Sequence, residues 1–238
     1  MKLYLMQLAT MRQTGGPVPG YLIRMDDGTN VLIDTGIGRE KIGAYRQSPD
    51  EPMQMDEEDY VVHQLARLGL AAQDIHYLVC THFDPDHAGN HDVFTAAELV
   101  VQRRHYELAR SGELERLQIA RSHWDAPGLR YRLIDGDTEL LPGITLIETS
   151  GHITGHQAVL VRLPQTGPVI LAIDAIPKSN LLDPDTRPMT PFDLDEKGVR
   201  ESTRKLVDLA RREQASMIVH GHDAAQWQQL KKLPAFYT

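Results

Sequence analysis

In residues 76–91, HYLVCTHFDPDHAGNH, an apolar run of Tyr77, Leu78, Val79 and Cys80 passes through Thr81 into His82, Asp84, Asp86 and His87. The run has the length of a buried strand, so the sequence predicts a strand delivering four metal-competent groups into one loop. Alternation along an extended segment would send positions 82, 84 and 86 to one side, and Pro85 biases Asp84 toward an extended conformation. Imidazole nitrogen mixed with carboxylate oxygen suits zinc, iron, manganese or cobalt, whereas calcium takes oxygen alone. A helix opening at AGNHDVF would need one capping residue, so capping does not account for all four.

One loop leaves coordination positions to fill, and three later strand ends qualify. TSGHITGH brings His152 or His156, VILAIDA closes on Asp174, and IVHGHD closes on His220 or His222. A carboxylate ending so apolar a strand is expensive unless it is paired or metal-bound, which singles out Asp174. Spacing leaves His220 and His222 open, since both face one side of an extended strand. Asp34, where VLIDTG leaves a strand, reads either as a turn residue or as a carboxylate that orients a metal-bound histidine.

Strands at 2–10, 20–26 and 30–34 are predicted to precede this loop, with Asp27, Gly28 and Thr29 turning a hairpin between the second and third. Residues 38–58 show neither period and carry Pro49, Pro52, Met53 and Met55, which suits a lid over a site; Tyr45 lies on it. A helix over 58–70 places Val61, Leu65 and Leu68 on one face and ends at Gly69. A strand at 98–102 leads into a helix from 103, with Arg103, Arg104 and Arg110 on a solvated face; the period of 111–130 is ambiguous. Further strands are predicted at 144–148, 158–163 and 168–173. A proline-containing loop follows, then a helix over 195–212 with Val199, Thr203, Leu206, Val207 and Ala210 in one stripe, and a last strand at SMIV. No Gly- or Ser-rich linker interrupts this order, so residues 1–238 read as one domain of two similar β-rich halves with helices outside.

At 238 residues, 41% hydrophobic and 24% charged, the chain has ordinary globular composition. A net charge of -8 argues against a nucleic-acid partner and favours a neutral or cationic small-molecule substrate. The single cysteine, Cys80, excludes an intrachain disulfide and a thiolate-rich zinc site, and its apolar setting makes it a core residue. The opening MKLYLMQLATM lacks the apolar region and cleavage site of a leader, and no window approaches the roughly 20 apolar residues of a membrane span. The expected location is the cytoplasm.

DTG at 34–36, THFDPDH, GHITGHQ, LAIDA and the final GHD occur in an order that resembles the metallo-β-lactamase superfamily, and residues 150–175 and 216–238 are most similar to its N-acyl-homoserine lactonases. The resemblance implies an α/β (α+β) fold, the four-layered αββα sandwich. It implies His82, Asp84 and His152 as ligands of one metal, Asp86, His87 and His222 of the other, and Asp174 as the bridge. His222 is preferred to His220 because the family ligand lies in the GHD triplet, and His156 is left a supporting role. The implied cofactor is two divalent ions, zinc by family. The implied reaction is lactone hydrolysis by a hydroxide held between them, with Asp86 passing a proton to the departing alkoxide.

Two positions depart from the family pattern. HxHxDH has a histidine where this chain has Asp84; three carboxylates against two divalent cations then sum to +1 rather than +2, and harder oxygen ligation tilts the site toward manganese or iron. The family tyrosine three residues beyond the bridging aspartate is Pro177 here, leaving Lys178 or Tyr45 to replace its substrate contact. A thioesterase of the glyoxalase II kind, a phosphodiesterase, a diiron redox protein served by a separate partner, and a metal-binding protein without catalysis are the competing readings. His63, His76, His91, His105 and His123 lie outside every motif.

Overall fold

Two sheets stack face to face, and strand alternation explains why each hides both of its faces. The computed structural model describes residues 1–238. Its first sheet holds β1 (Lys2–Met11), β2 (Pro17–Arg24), β3 (Asn30–Ile33), β4 (Met53–Gln54), β5 (Tyr77–Val79), β6 (Glu98–Gln102) and β7 (Arg130–Ile134), in spatial order β4-β1-β2-β3-β5-β6-β7. Its second holds β8 (Thr138–Leu141), β9 (Ile144–Glu148), β10 (Gln157–Leu163), β11 (Gly167–Ile173) and β12 (Met217–His220), in order β12-β11-β10-β9-β8. Alternate residues of the first sheet, Leu3, Leu5, Tyr21, Ile23, Val31 and Ile33, meet Leu146, Val159, Val161, Val169 and Leu171 of the second between the sheets. The intervening residues Tyr4, Met6, Leu8, Leu22 and Leu32 face outward into a second core.

Helices cover both outer faces. Against the first sheet lie α1 (Val61–Ala66), α2 (Pro85–Ala88), α3 (Arg103–Ser111), α4 (Glu115–Gln118) and α5 (Arg121–Trp124), contributing Val61, Leu65, Ala88, Ala109, Leu117 and Trp124. Against the second lies α6 (Glu196–Glu213), whose Leu206 and Leu209 pack on Ile147, Leu160 and Ile170. The closing helix α7 (Ala224–Gln229) inserts Trp227 between the sheets. The layers are therefore αββα, as expected from the resemblance.

Several expectations need correction. Two strands lie outside those expected from the sequence: β7 and β8 extend the two sheets at their edges. The buried stripe of α6 runs through Val199, Ser202, Thr203, Leu206 and Leu209, with Val207 and Ala210 at its margins. Residues 38–58 border the cavity described below, but only one of their two methionines does so: Met53 lies in β4, an edge strand paired with β1, and lines the cavity, while Met55 is fully buried with Ala9, Val18 and Ile37. Short 3-10 turns at Arg39–Lys41, Ala44–Arg46 and Glu57–Asp59 absorb the rest, because isolated turns carry no period to detect.

Phe83, inside the ligand loop, stacks on Trp124 with ring centroids 5.0 Å apart, and the Trp124 indole donates to the Leu117 carbonyl at 2.8 Å. Trp124→Ala is expected to cost about 3–5 kcal/mol in denaturant unfolding, while Ile119→Ala, at a side chain 71% exposed, stays within about 0.5 kcal/mol.

Candidate metal centre

The centre lies where strands end. β3 and β5 run parallel and finish beside each other, as do β11 and β12 in the other sheet, so the segments after these four strands meet at one edge of the sandwich. Two of the ends are bent by left-handed backbone at residues other than glycine: Asp34 at φ 57° and Ile173 at φ 51°. Such a conformation costs on the order of 1–3 kcal/mol, most for a β-branched side chain. At Ile173 it turns the following Asp174 out of the strand.

Asp84 is extended, as Pro85 requires, but Pro85 is also the first residue of α2. The alternation expected for positions 82, 84 and 86 therefore stops at Asp84, and Asp86 and His87 are carried by a helical turn. The helix expected at AGNHDVF is replaced by a 3-10 turn at His91–Val93. The effect is to split the loop between two groups. Ligand atoms of His82, His152 and Asp174 lie within 4.8 Å of one another, and so do those of Asp86, His87 and His222.

Asp174 joins the groups. Its Oδ2 is 3.7 Å from His82 Nε2, 3.4 Å from His152 Nε2 and 3.6 Å from His87 Nε2, and its Oδ1 is 2.9 Å from His222 Nε2. Asp86 Oδ2 is 3.6 Å from His87 Nε2 and 3.8 Å from His222 Nε2. Asp84 Oδ2 sits 3.4 Å from His82 Nε2 and 3.2 Å from His152 Nε2. All four imidazoles present Nε2 inward because each Nδ1 has an acceptor elsewhere. His87 Nδ1 meets Asp34 at 2.8 Å, His152 Nδ1 meets Asp193 at 3.1 Å and His222 Nδ1 meets the Pro17 carbonyl at 2.8 Å. His82 Nδ1 meets Thr81 Oγ1 at 3.1 Å, and that hydroxyl donates to Asp34. Nδ1 then carries the proton and Nε2 the free lone pair, the tautomer a metal ligand needs. His82 Nε2 and His87 Nε2 are buried with no hydrogen-bond partner. An inward set of imidazole and carboxylate donors with orphaned nitrogens fits divalent cations.

For the metal-free protein, protons take the place of cations. Burial pushes His82 down to about 3, and His87 adds to the fall. Burial also opposes protonation of His152, but Asp193, Asp84 and Asp174 outweigh it and hold its pKa at about 9. Asp174 and Asp84 overcome burial in the other direction, through the surrounding histidines, and stay well below the usual carboxylate range.

The remaining candidates separate. Asp34 accepts from the Thr81 amide, the Thr81 hydroxyl and His87, so it holds the His87 imidazole in place and is more than a turn residue. His156 stands behind Asp174, its Nε2 accepting from the Asp174 amide at 3.3 Å. His220 does not share a side with His222: its Nδ1 bonds the Ile176 carbonyl at 3.0 Å, because the strand ends at His220 and the chain bends before His222. Gly221 permits that bend, since a β-carbon there would lie 2.8 Å from Asp174 Oδ1. Tyr45 does not border the cavity over the centre; Asp56 holds its hydroxyl at 3.0 Å. Lys178 is exposed and borders the cavity beside Pro177.

Sequence reasoning missed Asp193, His105 and Arg116. Asp193 backs His152 and lies 3.7 Å from the buried Arg187. His105, set aside as outside every motif, pins the ligand loop by accepting from the Phe83 amide at 2.8 Å and donating to the Thr154 carbonyl at 2.9 Å. Arg116 Nε is 2.9 Å from Asp84 Oδ1. This guanidinium is a positive charge beside Asp84 that the expected sum of carboxylates and cations left out. Only His105 had a usable signal, a histidine on the apolar face of a predicted helix.

Above the centre opens a cavity of about 980 Å³. Asp84, Asp86, His152, Asp174 and His222 form part of its wall. Ile119, Met189 and Phe192 line it while remaining exposed, and Glu40, Lys41, Asp50 and Glu51 bring charge from the 38–58 segment.

A family model described as the metallo-beta-lactamase superfamily matches residues 13–222. An N-acyl homoserine lactonase of a Bacillus species is 32% identical over 227 residues, 92% of this chain and 86% of that protein. The N-acyl homoserine lactonase AttM of Azorhizobium caulinodans is 34% identical over 235 residues, 93% of this chain and 87% of that protein. Among solved structures, an N-acyl homoserine lactone hydrolase with N-hexanoyl-L-homoserine bound at its catalytic metal centre superposes with a TM-score of 0.86 at 27% identity, covering 99% of this chain and 98% of that one.

Two outcomes are expected from the geometry. His152, raised to about 9 from 6.5, gives the metal-free fold stability that is fully present below about pH 6.5 and lost as pH rises through about 9. Metal-free protein should therefore melt at lower temperature at pH 9 than at pH 6.5; a flat or rising profile would remove the protonated His152. Secondly, His222→Ala should lower metal retention at least about tenfold while His220→Ala leaves it near parent, as read by chelator competition. The reverse ranking would reverse the assignment.

Proposed function

The chain belongs to the metallo-beta-lactamase superfamily, and from that premise we propose that it is a dinuclear metal-dependent hydrolase that opens the ring of a lactone of the N-acyl-homoserine lactone kind. The observation that carries this reading is a single carboxylate, Asp174, that approaches histidines of both groups under an open cavity. His82, Asp84 and His152 would hold one cation and Asp86, His87 and His222 the other, with Asp174 between them. Bound there, two divalent cations supply Lewis-acid polarisation of a carbonyl and a nucleophile from water at neutral pH. Four imidazoles and three carboxylates suit zinc, with manganese and iron as the alternatives that oxygen ligation favours.

This chain's own residues divide the remaining work. Asp34, Thr81, Asp193 and the Pro17 carbonyl keep the imidazole lone pairs aimed inward, so the ligand set is preorganised. Asp86 borders the cavity with its side chain 16% exposed, placing a carboxylate where a departing alkoxide can collect a proton. Exposed Ile119, Met189 and Phe192 offer the cavity mouth apolar surface that the fold does not bury, which suits an acyl chain. With Pro177 at the tyrosine position, Lys178 and Asn180 are the polar side chains that this segment brings to the cavity.

Elemental analysis of protein purified without chelator is expected to find two divalent ions per chain, and a panel of lactones, thioesters and phosphodiesters should show hydrolysis of lactones first. Asp174→Asn is expected to abolish turnover and weaken metal retention, since the carboxylate offsets the repulsion between two cations. A ceiling of one ion at saturating metal, or a preference for thioesters, would defeat the reading.

A further inference from the structure

The three carboxylates of the centre are held differently. Asp86 and Asp174 meet imidazoles, whereas Asp84 also meets a permanent cation. Its Oδ2 faces His82 and His152, and its Oδ1 lies 2.9 Å from Arg116 Nε. Neither of those last two atoms has an aligned hydrogen bond, so the contact acts through charge more than through direction. The other guanidinium nitrogens are occupied: Nη1 donates to the Phe192 carbonyl at 2.5 Å and Nη2 to the His152 carbonyl at 3.5 Å. Arg116 is thus fixed from three sides, with its side chain 20% exposed.

We propose that Arg116 is a positioning residue that supplies the counter-charge of Asp84, so that the two together present a metal with an oxygen donor of no net charge. This rests on the dinuclear reading above. Two divalent cations and three carboxylates sum to +1, and the guanidinium restores +2, the charge a neutral nitrogen donor would leave at position 84. Reading position 84 alone gives an electron-rich site; reading it with Arg116 gives one whose pull on water and carbonyl is undiminished. A unit charge one carboxylate away from a divalent cation, in a largely buried site, changes metal affinity by at least about tenfold.

Compensation has a signature that a structural strut lacks. Chelator competition for zinc and for manganese, run on metal-free parent and variants, should show Arg116→Gln binding metal on the order of tenfold more tightly, because a repelling charge is gone. Asp84→His should bind more weakly by a similar factor, and Asp84→His/Arg116→Gln should return to within about threefold of parent. Arg116→Lys, which keeps the charge and loses the two carbonyl contacts, should stay near parent. Weaker metal binding in both Arg116→Gln and Arg116→Lys would make Arg116 a strut for the Phe192 segment and overturn the proposal, as would a double variant no better than Asp84→His. Circular dichroism and thermal melting confirm that each variant is folded. If Arg116→Gln alone does not fold, the comparison of Asp84→His with the double variant decides, since removing the guanidinium must then restore lost affinity. No substrate enters this experiment, so a failed lactone panel leaves it standing, whereas a parent that takes up fewer than two cations sinks the dinuclear reading itself.

Discussion

A carboxylate at the end of an apolar strand has to be met by positive charge or by donors, or the strand does not end there. Asp174 concentrates that demand: one oxygen faces His82, His87 and His152, the other faces His222, and its amide is held by His156. Each imidazole then needs an acceptor at its far nitrogen. That need recruits Asp34 from the end of β3, Thr81 from the end of β5, Asp193 from the segment before α6 and a carbonyl from β2. Strain at Ile173 is tolerated because so many partners over-determine where the next residue goes. The sandwich around it is ordinary hydrophobic burial. Its strand ends are disciplined by one acidic group.

How much of this is legible in the chain follows from whether a signal is local. The ligand strand, the DTG loop, the apolar run into Asp174 and the final GHD are readable because periodicity and an abrupt change to polar residues occur within a few positions. The hairpin at Asp27–Thr29 is readable for the same reason. Arg116 is not: it sits on a four-residue helix in a stretch of ambiguous period, and an arginine there looks like any solvated one. Asp193 is hidden in a proline-containing loop, and its relation to His152 spans 41 residues. Tyr45 misled because composition says nothing about which carboxylate captures a hydroxyl, and Asp56 does so from eleven residues away. Met55 misled because an irregular segment can still drop one side chain into a core.

The cavity shows the same division between inherited and individual features. Its floor is built from the strand-end histidines and aspartates, and its rim from Ile119, Met189 and Phe192 on one side and Glu40, Lys41, Asp50 and Glu51 on the other. A fold supports many substrates by varying such rims while the chemistry below stays put. The Lys41–Glu51 pair, 2.8 Å apart, neutralises part of the charged side, and Glu40 and Asp50 leave this wall acidic.

The tie between His222 and the Pro17 carbonyl joins positions 205 residues apart, which makes the centre a matter of folding order. Contacts of such long sequence separation form late, after loop-closure entropy has been met. A chain emerging from the ribosome displays His82, Asp84, Asp86 and His87 well before Asp174 and His222 exist, so both groups of side chains stay open until the chain is nearly complete. Full coordination awaits the docking of β12 against β11. On the dinuclear reading proposed above, metal occupancy is a readout of completed assembly. A lesion anywhere that delays this last strand would yield chains with near-normal secondary structure and too little metal.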